Sequence, residues 1–286
     1  MKPPPFAYAA PASVEEALEL LADPAHEDAR PLAGGQSLVP LLNMRLARPS
    51  LLVDLDGLGL DALEWANGHV RIGAMVRQRA LETDAAIAGR LPLLREAAAH
   101  VAHVAIRTRG TVGGSLAHAD PAAELPAAML ALDARLVVRS AAGARTVAAP
   151  DFFAGPFTTA VGAGELLEAV EVPVPPARTG VAFVEAARVH GAFALAGVAA
   201  LLRLDGGGRI EHARVALCGV AGTPRAPEWV GGALCGEPPD ERLFAQVGER
   251  VRDELADSAD EHRRALAGVL TRRALAAAAA RAGGGS

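Results

Sequence analysis

The chain has 286 residues, of which 51% are hydrophobic, enough to bury several small cores and too apolar for a disordered protein. Its formal net charge is −5 and Lys2 is the only lysine. With the arginines scattered rather than striped, a nucleic-acid polyanion is excluded as the main partner, because no basic surface supplies counterion release. Cys218 and Cys235 are the only cysteines, too few for an iron–sulfur cluster, which takes about four thiolates. The opening Met1-Lys2-Pro3-Pro4-Pro5 has no apolar signal region, and no apolar run approaches the roughly 20 residues of a membrane span. A soluble cytoplasmic protein is therefore expected.

In chain order, a strand at 6–8 feeds a helix at 13–22, opened by the capping-box pattern Ser13-Val14-Glu15-Glu16 and carried by Val14, Leu18 and Leu21. Residues 31–33 read as a short strand, 38–46 as a short helix and 51–55 as a buried strand, closing a first unit near residue 60. A second unit opens with a strand at 70–74, continues with an alanine-rich helix at 91–103, and holds strands at 135–138 and 166–172. Pro173, Pro175 and Pro176 stop the last of these and mark a boundary. Beyond it, 181–187, 193–204 and 213–220 read as three strands, with Asp205-Gly206-Gly207-Gly208 as a turn, and two long helices at about 240–255 and 261–281 close the chain. The expected architecture is α+β, in units 1–60, 61–175 and 177–282.

Two glycine-rich segments stand between these elements: Ala33-Gly34-Gly35-Gln36-Ser37-Leu38 and Thr111-Val112-Gly113-Gly114-Ser115-Leu116. Paired glycines remove Cβ atoms and permit positive φ, so successive backbone N–H groups can converge on one anion. A pyrophosphate fits such a concavity, and two segments could hold one dinucleotide between them. Asp120 and Glu124 are acceptors when ionised and suit ribose or ribityl hydroxyls.

Other residues have plainer readings beside the functional ones. Gly34-Gly35 alone could be a tight turn. His100 and His103 are spaced as helix-borne metal ligands, yet no cysteine or carboxylate cluster joins them in sequence, so core or surface roles are expected and no metal is assigned. His118 is read as bracing a loop, and Asp54 and Asp56 as turn-capping groups at a strand end. Arg107 and Arg109 are either a solvated basic pair or a brace beside the cofactor. No Ser-His-Asp order, nucleophile elbow or Gly-x-Gly-x-x-Gly after a strand appears, which leaves hydrolase and Rossmann readings without support.

With both segments in place, the chain resembles the FAD-binding medium subunit of the molybdenum hydroxylases, the carbon monoxide dehydrogenase and xanthine dehydrogenase family. The resemblance rests on Ala33-Gly34-Gly35-Gln36-Ser37-Leu38, on the run Arg107-Thr108-Arg109-Gly110-Thr111-Val112-Gly113-Gly114-Ser115-Leu116-Ala117-His118-Ala119-Asp120-Pro121-Ala122-Ala123-Glu124, on Gly164-Glu165-Leu166-Leu167, and on Phe193-Ala194-Leu195-Ala196-Gly197-Val198 with the arginine-rich final helix. It covers nearly the whole chain. It implies a two-part FAD-binding domain of the PCMH (vanillyl-alcohol oxidase-like) type, followed by a CO dehydrogenase flavoprotein C-terminal α+β domain.

The same resemblance implies FAD as cofactor, contacted by Ala33, Gly34, Gly35, Gln36, Ser37, Leu38, Val101, Ala102, Thr111, Gly113, Gly114, Ser115, Asp120, Glu124, Leu166, Leu167 and Arg188. No side chain is implied as a catalytic acid or base. The family usually has Asn where Thr108 stands and commonly a lysine in the stretch 183–188, where Arg188 is the cation in this chain. The implied function is electron transfer within a complex: a molybdopterin-containing large subunit oxidises substrate, a [2Fe-2S] small subunit relays electrons, and the flavoprotein passes them to an external acceptor, the assembly being a dimer of heterotrimers. Two rivals stay open, a non-catalytic assembly module that has lost its flavin and a stand-alone flavin oxidoreductase.

Overall fold

The computed structural model describes residues 2–66 and 68–284. Its three main sheets follow one another along the chain. The first is parallel, with Leu51–Asp54 between Ala7–Ala9 and Arg30–Leu32. The helix Val14–Ala22 supplies the crossover, and its start is the one the sequence encodes: Ser13 Oγ accepts from the Glu16 amide at 3.1 Å, while the Glu16 carboxylate accepts from the Ala12 amide at 2.7 Å. Ala17, Leu18, Leu51, Val53 and Leu55 pack there with Met75 and Leu166, so this small core is completed by residues from the second sheet region. The helix expected over 38–46 is the shorter Leu38–Asn43, because Arg45 turns to positive φ.

The second sheet is antiparallel and five-stranded, in the order Leu63–Ala66, His69–Gly73, Leu166–Pro173, Arg135–Ser140, Gly143–Ala148. Between His69–Gly73 and Arg135–Ser140 the chain forms six helices, Gln78–Thr83, Ala85–Arg90, Pro92–His100, Val104–Arg107, Val112–His118 and Glu124–Ala131. The single helix expected over 91–103 therefore breaks. Val101 leaves the helical region and Ala102 takes φ of 39°, a conformation a non-glycine residue holds only when its surroundings fix it. Arg107 provides that fixing: its buried guanidinium donates to the carbonyls of Val101 at 2.7 Å and Ala102 at 3.0 Å and pairs with Glu82 at 2.9 Å.

The third sheet is an antiparallel meander of Thr179–Ala187, Ala194–Leu204 and Ile210–Cys218. Asp205 Oδ1 accepts from the amides of Gly207 and Arg209 in the expected turn. Strand alternation gives the sheet two apolar faces. Ala182, Val198, Ala200 and Leu202 pack on the helices Glu241–Glu254 and Glu261–Gly283. Val181, Phe183, Ala199 and Leu201 join the core of the second region. Glu96 locks this junction, accepting from the Phe183 amide at 3.0 Å and from Arg281 at 2.8 Å. Among the described residues no helix is long and apolar enough to cross a membrane.

Candidate functional site

The strand Arg30–Leu32 delivers the first glycine segment to a cavity of about 420 Å³. Leu32 to Gln36 form one part of its lining, Val39, Pro40 and Asn43 of the following helix another, and Asp54, Asp56, Arg77 and Arg109 the rest. Gly35 has φ of 71° and Ser37 returns to the right-handed region, the alternation that turns successive amides inward. Among the described residues, none of the amides of Gly34, Gly35, Gln36, Ser37 or Leu38 donates to another protein group, and the Ser37 hydroxyl caps nothing. Adjacent unspent donors in a folded loop need a partner. The loop thus presents a row of unspent donors to the cavity.

Opposite this loop the carboxylates are already engaged. Asp54 accepts from the Tyr8 hydroxyl and from the Asp56 amide, and Asp56 pairs with Arg77, whose other nitrogen donates to the Arg109 carbonyl at 2.7 Å. These aspartates cap the turn as expected and line the cavity too. The Asp54 interaction pushes the Tyr8 phenol above its ordinary value, through the hydrogen bond first and then desolvation and charge.

The second glycine segment corrects the symmetrical picture drawn from the sequence. It is the first turn of the helix Val112–His118, and its amides are spent internally: Gly113 on Ala74 O at 2.8 Å, Gly114 on Thr111 Oγ1 at 3.0 Å and Ser115 on Thr111 O at 3.1 Å. The amides of the first segment are thus unspent, whereas those of the second are consumed within the protein. Thr111 is an N-cap, and Gly113 is needed because a Cβ there would come within 2.7 Å of Ala74 Cα. The segments nonetheless meet. A Cβ on Gly114 would lie 3.4 Å from the Ala33 Cβ, which brings Ser115 and its uncapped hydroxyl to the same neighbourhood.

From there the chain runs to Asp120, which accepts from the Ala122 amide at 2.9 Å, and to Glu124 at the start of a fully buried helix. Glu124 is only 7% exposed. Burial pushes it up to about 7, with the Asp120 charge adding and its own amide and Arg107 opposing.

A second cavity, of about 210 Å³, is lined by His100, Glu185, Ala187, Val189, His190 and Gly191. The His100 ring lies 5.4 Å from Phe183, and burial, with His190 adding, holds its imidazole below the usual range. The His103 ring lies 5.9 Å from that of His190, so Val101 and Ala102 run between His100, which lines this cavity, and His103, which packs on a lining residue. Leu166 and Leu167 are buried in cores and line neither cavity. Arg188 is exposed, one residue past the strand end, and also lines neither. Thr108 caps the Val104–Arg107 helix, its hydroxyl donating to the Ala105 carbonyl at 2.9 Å. The residues that sequence reasoning missed are Asn43 and Arg77 at the first cavity and His100, Glu185 and His190 at the second. Of these, Glu185 had a signal, since it shares the inward phase of Val181 and Phe183.

Comparison with known proteins decides what such a site serves. Residues 4–175 match the FAD binding domain in molybdopterin dehydrogenase, and residues 181–278 match the CO dehydrogenase flavoprotein C-terminal domain. The chain belongs to the FAD-binding medium subunits of the molybdenum hydroxylase family. It is 40% identical to the caffeine dehydrogenase subunit beta of a Pseudomonas species, over 98% of this chain and 97% of that one. It is 39% identical to the carbon monoxide dehydrogenase medium chain of Afipia carboxidovorans, over 99% of each. Among solved structures, quinoline 2-oxidoreductase from Pseudomonas putida 86 superposes with a TM-score of 0.92 at 41% identity, covering 99% of both chains.

FAD is thus the cofactor of this medium subunit, in a two-part FAD-binding domain followed by the flavoprotein C-terminal domain. The residues present fit it. Five unspent amides answer a diphosphate without a lysine, and the cavity beside them supplies further polar groups.

Proposed function

We propose that this medium subunit is the electron-transfer flavoprotein of a heteromeric molybdenum hydroxylase. It receives electrons from the [2Fe-2S] clusters of a small partner, a molybdopterin-containing large partner oxidises the substrate, and the assembly, a dimer of heterotrimers, works in the cytoplasm. The observation that carries this reading is the row of unspent amides at Gly34–Leu38 in a chain that matches the family from end to end. We place the division of labour in three units, 1–60, 61–175 and 177–282.

Bound FAD supplies the redox chemistry, taking up electrons and passing them to an external acceptor. The chain's own residues bind and orient it. The amides of Gly34, Gly35, Gln36 and Ser37 would hold the pyrophosphate, joined by the hydroxyls of Ser37 and Ser115. Ala33 and Leu38 frame that loop, while Thr111, Gly113 and Gly114 set the close seat of the second segment against it. Asp120 and Glu124 lie beyond and would accept from ribityl hydroxyls. Val101 and Ala102, pinned by Arg107, and the backbone at Leu166 and Leu167 would border the ring end, which faces the second cavity. Arg188, at the exposed end of the neighbouring strand, supplies positive charge near that mouth.

Purification of the chain from its native cells under mild conditions tests this reading. Co-purification with molybdenum, iron and FAD in fixed ratio is expected. A chain that carries FAD, binds no molybdenum or iron protein and oxidises a substrate alone would replace it with the stand-alone oxidoreductase.

A further inference from the structure

Strand alternation puts Glu185 on the face of Thr179–Ala187 that carries Val181 and Phe183 inward, so a carboxyl group occupies an otherwise apolar phase. Its register partner is Gly197, which has no side chain to cover it, and a Cβ there would lie 3.8 Å from Glu185 Cγ and 2.7 Å from Cys218 Sγ. Glu185 Oε2 is buried and has no hydrogen-bond partner among the described residues, while the residue lines the cavity shared with His100 and His190. Glu124, at the start of the helix Glu124–Ala131, is more than nine-tenths buried, and its charge acts on Glu185. A buried carboxylate oxygen with no donor is costly to ionise, and two such groups acting on each other do not both ionise readily.

We propose that Glu185 stands in this cavity as a neutral carboxylic acid that donates a hydrogen bond to an acceptor edge of the ring seated there, with Glu124 as the ionised half of the pair. The inference rests on the reading that the flavin end of FAD faces this cavity, and it names a residue and a proton that reading does not. An oxidised flavin ring presents carbonyl oxygens and ring nitrogens at its edge, which suits a donor and repels a carboxylate.

The surrounding charges allow this state. Burial, with the Glu124 charge adding, pushes Glu185 up to about 8. His100 and His190 border it, and His100 is held below its usual range, so it supplies no fixed cation. Arg107 is committed to Glu82 and two carbonyls, Glu96 and Arg281 to each other and to the strand backbone, and Asp120 adds negative charge near Glu124. From the third strand, Cys218 is held as a thiol by burial and by both glutamates.

Two measurements on the full chain test it, each with Glu185→Gln, which keeps a donor but cannot titrate. In FAD-free protein carrying 13C-carboxyl glutamate, NMR titration is expected to show a carboxyl titrating near neutral pH that disappears in Glu185→Gln. In FAD-loaded protein, spectroelectrochemistry across pH is expected to give a potential against pH line whose inflections in Glu185→Gln, with FAD retained, move from the wild-type positions to those set by the flavin ring alone. Carboxyls that all titrate in the ordinary range, or a variant whose line keeps the wild-type inflection, would overturn the inference. Failure of the wild type to hold FAD would instead count against the proposed function, and the NMR titration would still decide the protonation of Glu185.

Discussion

Gly34 lies against the backbone of Arg109 so closely that a Cβ on it would overlap the Arg109 carbonyl oxygen and come within 2.8 Å of Gly110 Cα. The two glycine segments are thus joined by backbone packing, about 75 residues apart in sequence, before any ligand is considered. Gly34→Ala should force the loops apart at a cost of about 1–3 kcal/mol, as overpacking does. Denaturant unfolding of FAD-free protein checks this, and FAD affinity should fall in the same variant. Unchanged stability would show that the loops are not in contact.

Ser37 and Ser115 separate binding from folding. Neither hydroxyl makes a hydrogen bond among the described residues, so Ser37→Ala and Ser115→Ala should leave the unfolding midpoint of FAD-free protein unchanged. A hydrogen bond to a charged group contributes about 1.5–3 kcal/mol, so each variant should weaken FAD by roughly tenfold to a hundredfold in a fluorescence titration.

Arg107 is a structural residue placed beside the ring end. Removing it leaves Glu82 without its buried partner and releases the strained Val101–Ala102 turn. Glu82 keeps Arg79 at 2.5 Å, so the loss falls on the two orphaned carbonyls, and Arg107→Ala should cost about 1–3 kcal/mol in urea unfolding. Arg107→Lys should restore only part of this, because one ammonium cannot serve a carboxylate and two carbonyls as the planar fork does.

Glu124 and Glu185 set a pH dependence with a definite sign. Both are raised in the folded protein, to about 7 and about 8, so the folded state binds more protons than the unfolded chain above the ordinary carboxyl value of 4.5. Their share of the stability then falls as pH rises between that value and about 8 and levels off above it, against the opposite contribution of His100, His118 and His212, whose imidazoles are held below their ordinary value chiefly by burial. Glu185→Gln should flatten this slope in thermal melts of FAD-free protein. Identical slopes in wild type and variant would contradict the raised Glu185 carboxyl.

Much of this architecture was legible because it is written locally. The Ser13 and Glu16 capping box, the Asp205 turn and the proline stop after Leu166–Pro173 each depend on neighbours within a few residues. What escaped depends on distant parts of the chain. The second glycine segment looks like the first in sequence, yet its amides are consumed by Thr111 and by Ala74, the latter brought in by another sheet. The break at Val101–Ala102 follows from Arg107 folding back on it, not from any breaker at those positions. Glu185 showed its inward phase, but the second carboxylate whose charge acts on it came from a helix about 60 residues earlier that the sequence reading did not predict.

The most direct test is the visible spectrum of the purified wild-type chain after supplementation with FAD and desalting. A retained flavin spectrum, close to one FAD per folded chain and lost in Ser37→Ala under the same wash, is the predicted result. A folded, colourless wild-type protein, alone and in the complex with its partners, would contradict the account and leave a module that keeps the fold without its flavin.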